Sequence, residues 1–313
     1  MDGLPPDLPM LRAPDRQHTL KAPIGCVGVG LHSGRRASLT LHPAQAGHGI
    51  VFRRTDLGRE IPARFDHVAD ARLATTLALP GSPEVRVGTV EHVMAALAGM
   101  GVDNALVALD GPEVPILDGS SAHFMFLIDC AGMVEQDLPR ETIVVRRPVR
   151  VADGDGFAEL RPALAAGRGS FGLDMALSID FAAAAIGRQA ITLRLSPDSF
   201  RRELARARTF GLAEDIAALQ AAGLARGGSL ENAVVVDGDR VLNPGGLRMD
   251  REFARHKLLD AVGDLALAGS AIAGRFVAHR SGHALNNALL RALLADRTAW
   301  EPHVPALPVQ VAA

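Results

Sequence analysis

Residues 255–269 read RHKLLDAVGDLALAG and place His256, Asp260 and Asp264 at successive four-residue spacings. Each step of four advances a helix by one turn plus about 40°, so the three side chains form a stripe on one face with His256 beside Asp260. The surrounding Leu258, Leu259, Val262, Leu265 and Leu267 carry this helix toward a buried region. Two acids taken there need partners. Spacing alone is met more simply by a His–Asp hydrogen bond on a partly exposed stripe than by a metal site. A metal site needs a third ligand from elsewhere.

Working outward, the run sits within a helix expected over Arg251–Leu267. Strands are expected before it at Ile143–Val151, Phe171–Phe181 and Ala190–Leu195, and after it come a strand at Arg275–His279 and a helix at Ala284–Leu294. The first half has the same order. Strands at Arg36–Leu41, Ile50–Arg53, Ala74–Leu79 and Val85–Val87 precede a helix at Val90–Ala98, a strand at Asn104–Leu109 and a helix from about Ser120 to Ala131. The fold class read from this is α+β: two similar domains from a duplicated strand and helix unit, although the residues of the halves show little direct similarity. A polar stretch from Glu135 to Thr142 marks the boundary. The domains are therefore expected at 19–138 and 139–313, with a Pro-rich leader at 1–18 and a strand-helix-strand insert at about 211–237.

Composition limits the function. The 313 residues are 48% hydrophobic, enough for two buried cores of about 150 residues each. Lys and Arg total 33 against 35 Asp and Glu, so no overall positive field draws nucleic acid or an acidic membrane. Zero Tyr and one Trp leave little for an aromatic platform that stacks bases. The two cysteines, Cys26 and Cys130, are too few for a disulfide framework or a Cys-based zinc site, so a metal would need His and carboxylate. The N-terminal stretch lacks the apolar centre of an export signal, and the longest apolar run, Leu258–Ala278, is broken by Asp260, Asp264 and Arg275. A soluble, cytoplasmic protein is the expectation.

Further chemistry-bearing segments stand at corresponding places. GTVEHVMAALAG (88–99) opens the first-half helix with Glu91 and His92. A hydrolytic zinc site needs three protein ligands, an open position for water and a carboxylate that is not a ligand, and adjacent Glu-His can divide those roles. The alternative is that Thr89 or Glu91 caps the helix and His92 is merely nearby. If the halves pack about a pseudo-twofold axis, the two helices meet and His92 reaches His256 and Asp260. In RSGHALNNALL (280–290), His283 opens the last helix, where Asp264 could hold it cationic as a proton donor. RTFG (208–211) offers Thr209 as a hydrogen-bond donor to a carbonyl or its oxyanion. GCVGVGLHSG (25–34) lacks the full dinucleotide fingerprint and runs into a strand, which argues against a nucleotide-cofactor loop.

Taken in order, GVGLHSG, TVEHVMAALAGMGVDNALVALDGPEVPILDGSS, RTFG, RHKLLDAVGDLALAG and SGHALNN closely resemble the bacterial UDP-3-O-acyl-N-acetylglucosamine deacetylases, the zinc amidases of lipid A synthesis. The resemblance runs from about Thr19 to Asp296. It implies two domains, each a sheet with two helices and a small insert, with the helical layers facing each other around the site. It implies His92, His256 and Asp260 as ligands to Zn2+, a set that also suits Fe2+ in the cell, and Glu91 as general base. Thr209 would stabilise the oxyanion, and His283, oriented by Asp264, would protonate the leaving nitrogen. Lys257 would contact substrate, Phe210 would border an acyl tunnel formed by the insert, and Phe181 would pack on the uracil ring. The implied partner is the UDP-linked acylated sugar, with no nucleic acid, no stable membrane insertion and a monomeric state. Three departures stand out: Ala74 where the family often has Cys, Ala183-Ala184 in place of His-Pro, and His123 in place of Pro. The rival of a different class is a silent binding protein on the same fold, against which the intact Glu91, His92, His256, Asp260 and His283 set argues.

Overall fold

In the computed structural model, residues 16–163 and 172–306 are described; the start of the leader and Phe171 of the expected strand lie outside them. The α-helices of the described residues are α1 (Glu91–Met100), α2 (Ala122–Ala131), the single turn α3 (Pro197–Ser199), α4 (Ala213–Ala221), α5 (Glu252–Ala266) and α6 (His283–Ala295). The first half builds a five-stranded sheet in the order Ile24–Val29, Arg36–Pro43, Ala105–Leu109, Ile50–Arg54, Arg59–Pro62. Within the second half's sheet the same order recurs as Val149–Asp153, Gly156–Arg161, Ala271–His279, Leu173–Asp180, Arg188–Arg194.

The pairings match strand for strand. In each half the third strand is antiparallel to the second and parallel to the fourth. A parallel pair requires a crossover connection. In the first half that crossover contains α1 and in the second it contains α5, so the Glu-His helix and the His-Asp helix are equivalent elements of a duplicated unit. The α+β fold class and its duplication stand. Thr142–Val145 and Trp300–His303 extend the second sheet to seven strands. Each half also carries a three-stranded insert: Val68–Asp70, Thr76–Leu79 and Ser82–Val87 in the first, and Phe210–Leu212, Val234–Asp237 and Arg240–Val241 around α4 in the second.

α1 is buried at every position but Ala98, because α5 and α2 pack against it and its apolar side chains join the core cluster. An apolar helix without a polar face is stable only when enclosed in this way. The expected two cores are consequently one continuous cluster, running from Leu41, Phe52 and Val107 through Leu97 to Leu258, Met175 and Phe276. The helices come this close at Gly263, where a Cβ would stand 2.1 Å from the Glu91 carbonyl oxygen.

Local readings shift in three places. Arg16–His18, read as the end of the leader, belong to a strand, Arg16–Leu20, that pairs antiparallel with Met133–Pro139. The latter covers most of the polar stretch read as a link between the halves; Met133, Val134 and Leu138 are exposed along with Glu135 and Asp137, while Thr19 and Leu20 of the partner strand are buried. The strand expected at Ile143–Val151 is two, Thr142–Val145 and Val149–Asp153, parted around Pro148, whose missing N–H cannot continue a ladder. Ala74 and Thr75 precede their strand, which begins at Thr76.

Candidate metal centre

His256 and Asp260 project from one face of α5, and His92 reaches them from the first turn of α1. One potential ligand atom from each of the three lies within 4.8 Å of the others. Asp260 Oδ1 is 3.3 Å from His256 Nε2 and 3.6 Å from His92 Nε2. All three residues are buried. Asp260 Oδ1 is a buried carboxylate oxygen with no hydrogen-bond partner among the described residues, a costly condition unless a cation completes it. Its other oxygen, Oδ2, accepts from Lys257 Nζ at 3.2 Å.

The imidazoles are prepared for ligation. His256 Nδ1 lies 3.0 Å from the Ala207 carbonyl and donates to it, which leaves Nε2 as the free lone pair facing Asp260. Burial pushes His256 down to about 4, so the ring is neutral near pH 7, as a ligand must be. Asp260 lies well below the ordinary carboxylate range: burial would raise it, but His256 and Lys257 outweigh that. His92 is held through its backbone, whose carbonyl accepts from Ser121 Oγ at 2.7 Å. The three residues therefore fit a small divalent cation with a mixed imidazole and carboxylate preference.

Glu91 and His283 face this cluster. Glu91 is not a helix cap: α1 has no side-chain cap, and Glu91 Oε2 instead accepts the Thr75 N–H at 3.0 Å. Burial raises the Glu91 pKa above its ordinary value, against the opposing pull of His283 and His92. His283 Nε2 stands 3.9 Å from Glu91 Oε1 and 4.0 Å from Asp260 Oδ2. Its Nδ1 donates to Asp264 Oδ2 at 2.9 Å. Burial pushes His283 down, but Asp264 and Glu91 more than compensate and raise it to about 9. Asp264 is saturated by Asn286 Nδ2 at 2.9 Å and Thr75 Oγ1 at 2.6 Å.

Lys257 lines a recess of about 270 Å3 together with Phe181, Ala182, Arg280 and Ser281. Phe181 packs edge-on against Phe210 with ring centres 5.5 Å apart, and Phe210 packs against the His256 ring at 6.3 Å. The backbone N–H of Thr209 donates to the Gly119 carbonyl at 2.7 Å, binding the second half to the Asp118-Gly119-Ser120 turn of the first. Glu91, His92, His256, Asp260, Asp264 and His283 thus come together, with Lys257 bonded to Asp260 and Phe210 against His256. Thr75, Asn286, Ser121 and Ala207 were not anticipated. Thr75, Ser121 and Ala207 bring a hydroxyl or a backbone carbonyl from distant segments, and no local spacing announces them, whereas Asn286 stands three residues after His283 on α6, a helical spacing that puts both on Asp264.

A sequence profile of the UDP-3-O-acyl N-acetylglycosamine deacetylase family matches residues 17–295. The chain is 52% identical over 287 residues to a UDP-3-O-acyl-N-acetylglucosamine deacetylase of Myxococcus xanthus, covering 91% of this chain and 88% of that protein. Similar deacetylases occur in Acidithiobacillus ferrooxidans, 49% identical over 91% of this chain and 92% of theirs, and in Anaeromyxobacter dehalogenans, 50% identical over 95% and 96%.

Proposed function

This chain belongs to the UDP-3-O-acyl N-acetylglycosamine deacetylase family, and from that premise we propose the part that each residue plays in it. The reaction is hydrolysis of the acetamide of UDP-3-O-acyl-N-acetylglucosamine to acetate and UDP-3-O-acyl-glucosamine, the committed step of lipid A biosynthesis. One observation supports the assignment of roles above all others: Glu91 and His283 converge on the His92, His256 and Asp260 cluster, all five being buried.

His92, His256 and Asp260 hold the cation, with Zn2+ as the resident ion and Fe2+ as the alternative that the same ligands accept. When bound, the ion supplies Lewis acidity, making water a stronger acid and polarising a carbonyl oxygen. Glu91 takes the proton of the attacking water at Oε1, while Thr75 holds Oε2. Its raised pKa makes it a better proton acceptor than a solvated carboxylate. His283 stays cationic near neutral pH and delivers a proton from Nε2 to the departing nitrogen. Asp264 orients that ring through Nδ1. The Thr209 hydroxyl stabilises the oxyanion. Water's oxygen and one of its protons leave with the acetyl group as acetic acid, which ionises to acetate; the other proton, held by Glu91, passes to His283 to replace the one given to the nitrogen, so both groups return to their starting states.

Binding is divided between the two ends of the site. Lys257, Phe181 and the recess they share take the nucleotide side, where Ala183 and Ala184 form a plain turn through Ile186 and Gly187 N–H bonds to the Ala183 carbonyl. Phe210 and the insert as far as Asp237 take the acyl chain. None of the described helices is long and apolar enough to cross a membrane, and we assign the enzyme to the cytoplasm as a monomer whose two domains, 19–138 and 139–313, share the site. Acetate release from the UDP substrate, measured with and without a chelator, tests the reading. Metal-dependent release is expected; a protein that merely bound the sugar nucleotide would release none.

A further inference from the structure

Beneath the centre lies a fully buried ion pair that neither the ligands nor the proposed catalytic groups include. Glu252, in the first turn of α5, is 0% exposed and Arg208 is 7% exposed. Glu252 Oε1 accepts from the Arg208 backbone N–H at 3.0 Å and from Arg208 Nε at 2.8 Å. Its Oε2 accepts from Arg208 Nη2 at 3.1 Å and from the Arg248 N–H at 2.7 Å. Arg208 Nη2 also donates to the Gly246 carbonyl at 2.8 Å. Just before Glu252, Arg251 holds a left-handed backbone with φ of 52°.

Glu252 and His256 are one helical turn apart on the same face of α5. Along that face runs the segment Ala207-Arg208-Thr209. The Ala207 carbonyl accepts from His256 Nδ1, Arg208 pairs with Glu252, and Thr209 is tied by its N–H to Gly119 and by its carbonyl to the Val234 N–H at 2.8 Å. The residue that orients a ligand and the residue assigned to the oxyanion are thus the two neighbours of one clamped arginine. We propose that Arg208 and Glu252 are a positioning pair: by fixing this three-residue segment against α5 they set the His256 ring for ligation and place Thr209 at the site. The proposal rests on the deacetylase reading for the role of Thr209, and on geometry alone for His256. A buried pair with one partner removed leaves an uncompensated charge, whereas an apolar pair of similar volume is tolerated by a fold. Stability and positioning can therefore be separated.

The test compares wild type, Glu252→Gln and the double substitution Arg208→Met with Glu252→Leu, each as the full chain stripped of metal. Co2+ is the probe, with its affinity measured by competition against a chelator and its ligand-field absorption spectrum recorded. Circular dichroism is expected to show the double variant folded, with Co2+ affinity about 10- to 100-fold weaker and an altered spectrum, and with kcat falling far more than KM rises at saturating metal. A folded double variant with wild-type Co2+ affinity and spectrum would overturn the proposal and leave the pair as structural only. Because the metal readouts need no turnover, an inactive wild type would count against the deacetylase reading without touching this comparison.

Discussion

Glu91 and His283 have atoms only 3.9 Å apart, and the fold raises the pKa of both, the carboxyl by burial and the imidazole by its carboxylate neighbours against burial. The roles proposed for them require Glu91 unprotonated and His283 protonated, so kcat/KM should be bell-shaped in pH. The acid limb falls as pH drops through the raised Glu91 pKa, and the alkaline limb falls as pH rises through about 9. Asp264 is the leading cause that raises His283, so Asp264→Asn should move the alkaline limb to lower pH; a limb left in place by that substitution would show that another group titrates there. Glu91→Gln should lower kcat by about 10^2- to 10^4-fold with metal content unchanged, since Glu91 is not among the three clustered ligands. The sequence made these residues candidates by type and helix phase. It carried no sign of Thr75, which touches both Glu91 and Asp264 from 189 residues away from the latter, because a single hydroxyl in a loop has no periodicity to betray it.

At the level of elements, the crossing of α1 and α5 depends on Gly263. Glycine in a helix interior costs about 1 kcal/mol relative to alanine, but here a Cβ would meet the Glu91 carbonyl at 2.1 Å and would contact its carbonyl carbon and Cα as well. Gly263→Ala should therefore lower stability by about 1–3 kcal/mol through overpacking and reduce activity by parting His92 from Asp260, measured by chemical denaturation and by kcat on the same preparation. Wild-type stability and activity would mean that the helices can shift without consequence. The helices were legible because apolar positions recur with their period, and the DAVGDL stretch could be phased from Asp260 and Asp264 alone. The ribbon of Arg16–Leu20 with Met133–Pro139 was not legible: neither RQHTL nor MVEQDLP alternates apolar with polar residues, and the two strands are separated by the whole first half.

Across the whole molecule the centre is made of both halves, with His92 from one and His256 and Asp260 from the other. A cation that binds only when the halves are packed stabilises the fold by mass action. With metal at about 100 times its dissociation constant that is about 2.7 kcal/mol, so removal by chelator should lower the melting temperature by about 5 °C, an effect that His256→Ala should abolish. An unchanged melting temperature in the wild type would argue that the cluster holds no ion. What the sequence determined by itself is whatever depends on neighbours along the chain: the helix faces that align His256 with Asp260 and Asp264, the repeated order of strands and helices, and a cysteine count of two that left only His and carboxylate for a metal. What only the tertiary structure decided is which of those faces meet and how dry the meeting place is. The His–Asp spacing was compatible with a plain hydrogen bond until α1 brought His92 to it and left Asp260 Oδ1 without a partner. Likewise, the directions in which Glu91, His256 and His283 titrate follow from burial and from charges delivered by other elements. Desolvation and Coulomb energies depend on distances through space, and distance along the chain does not encode them.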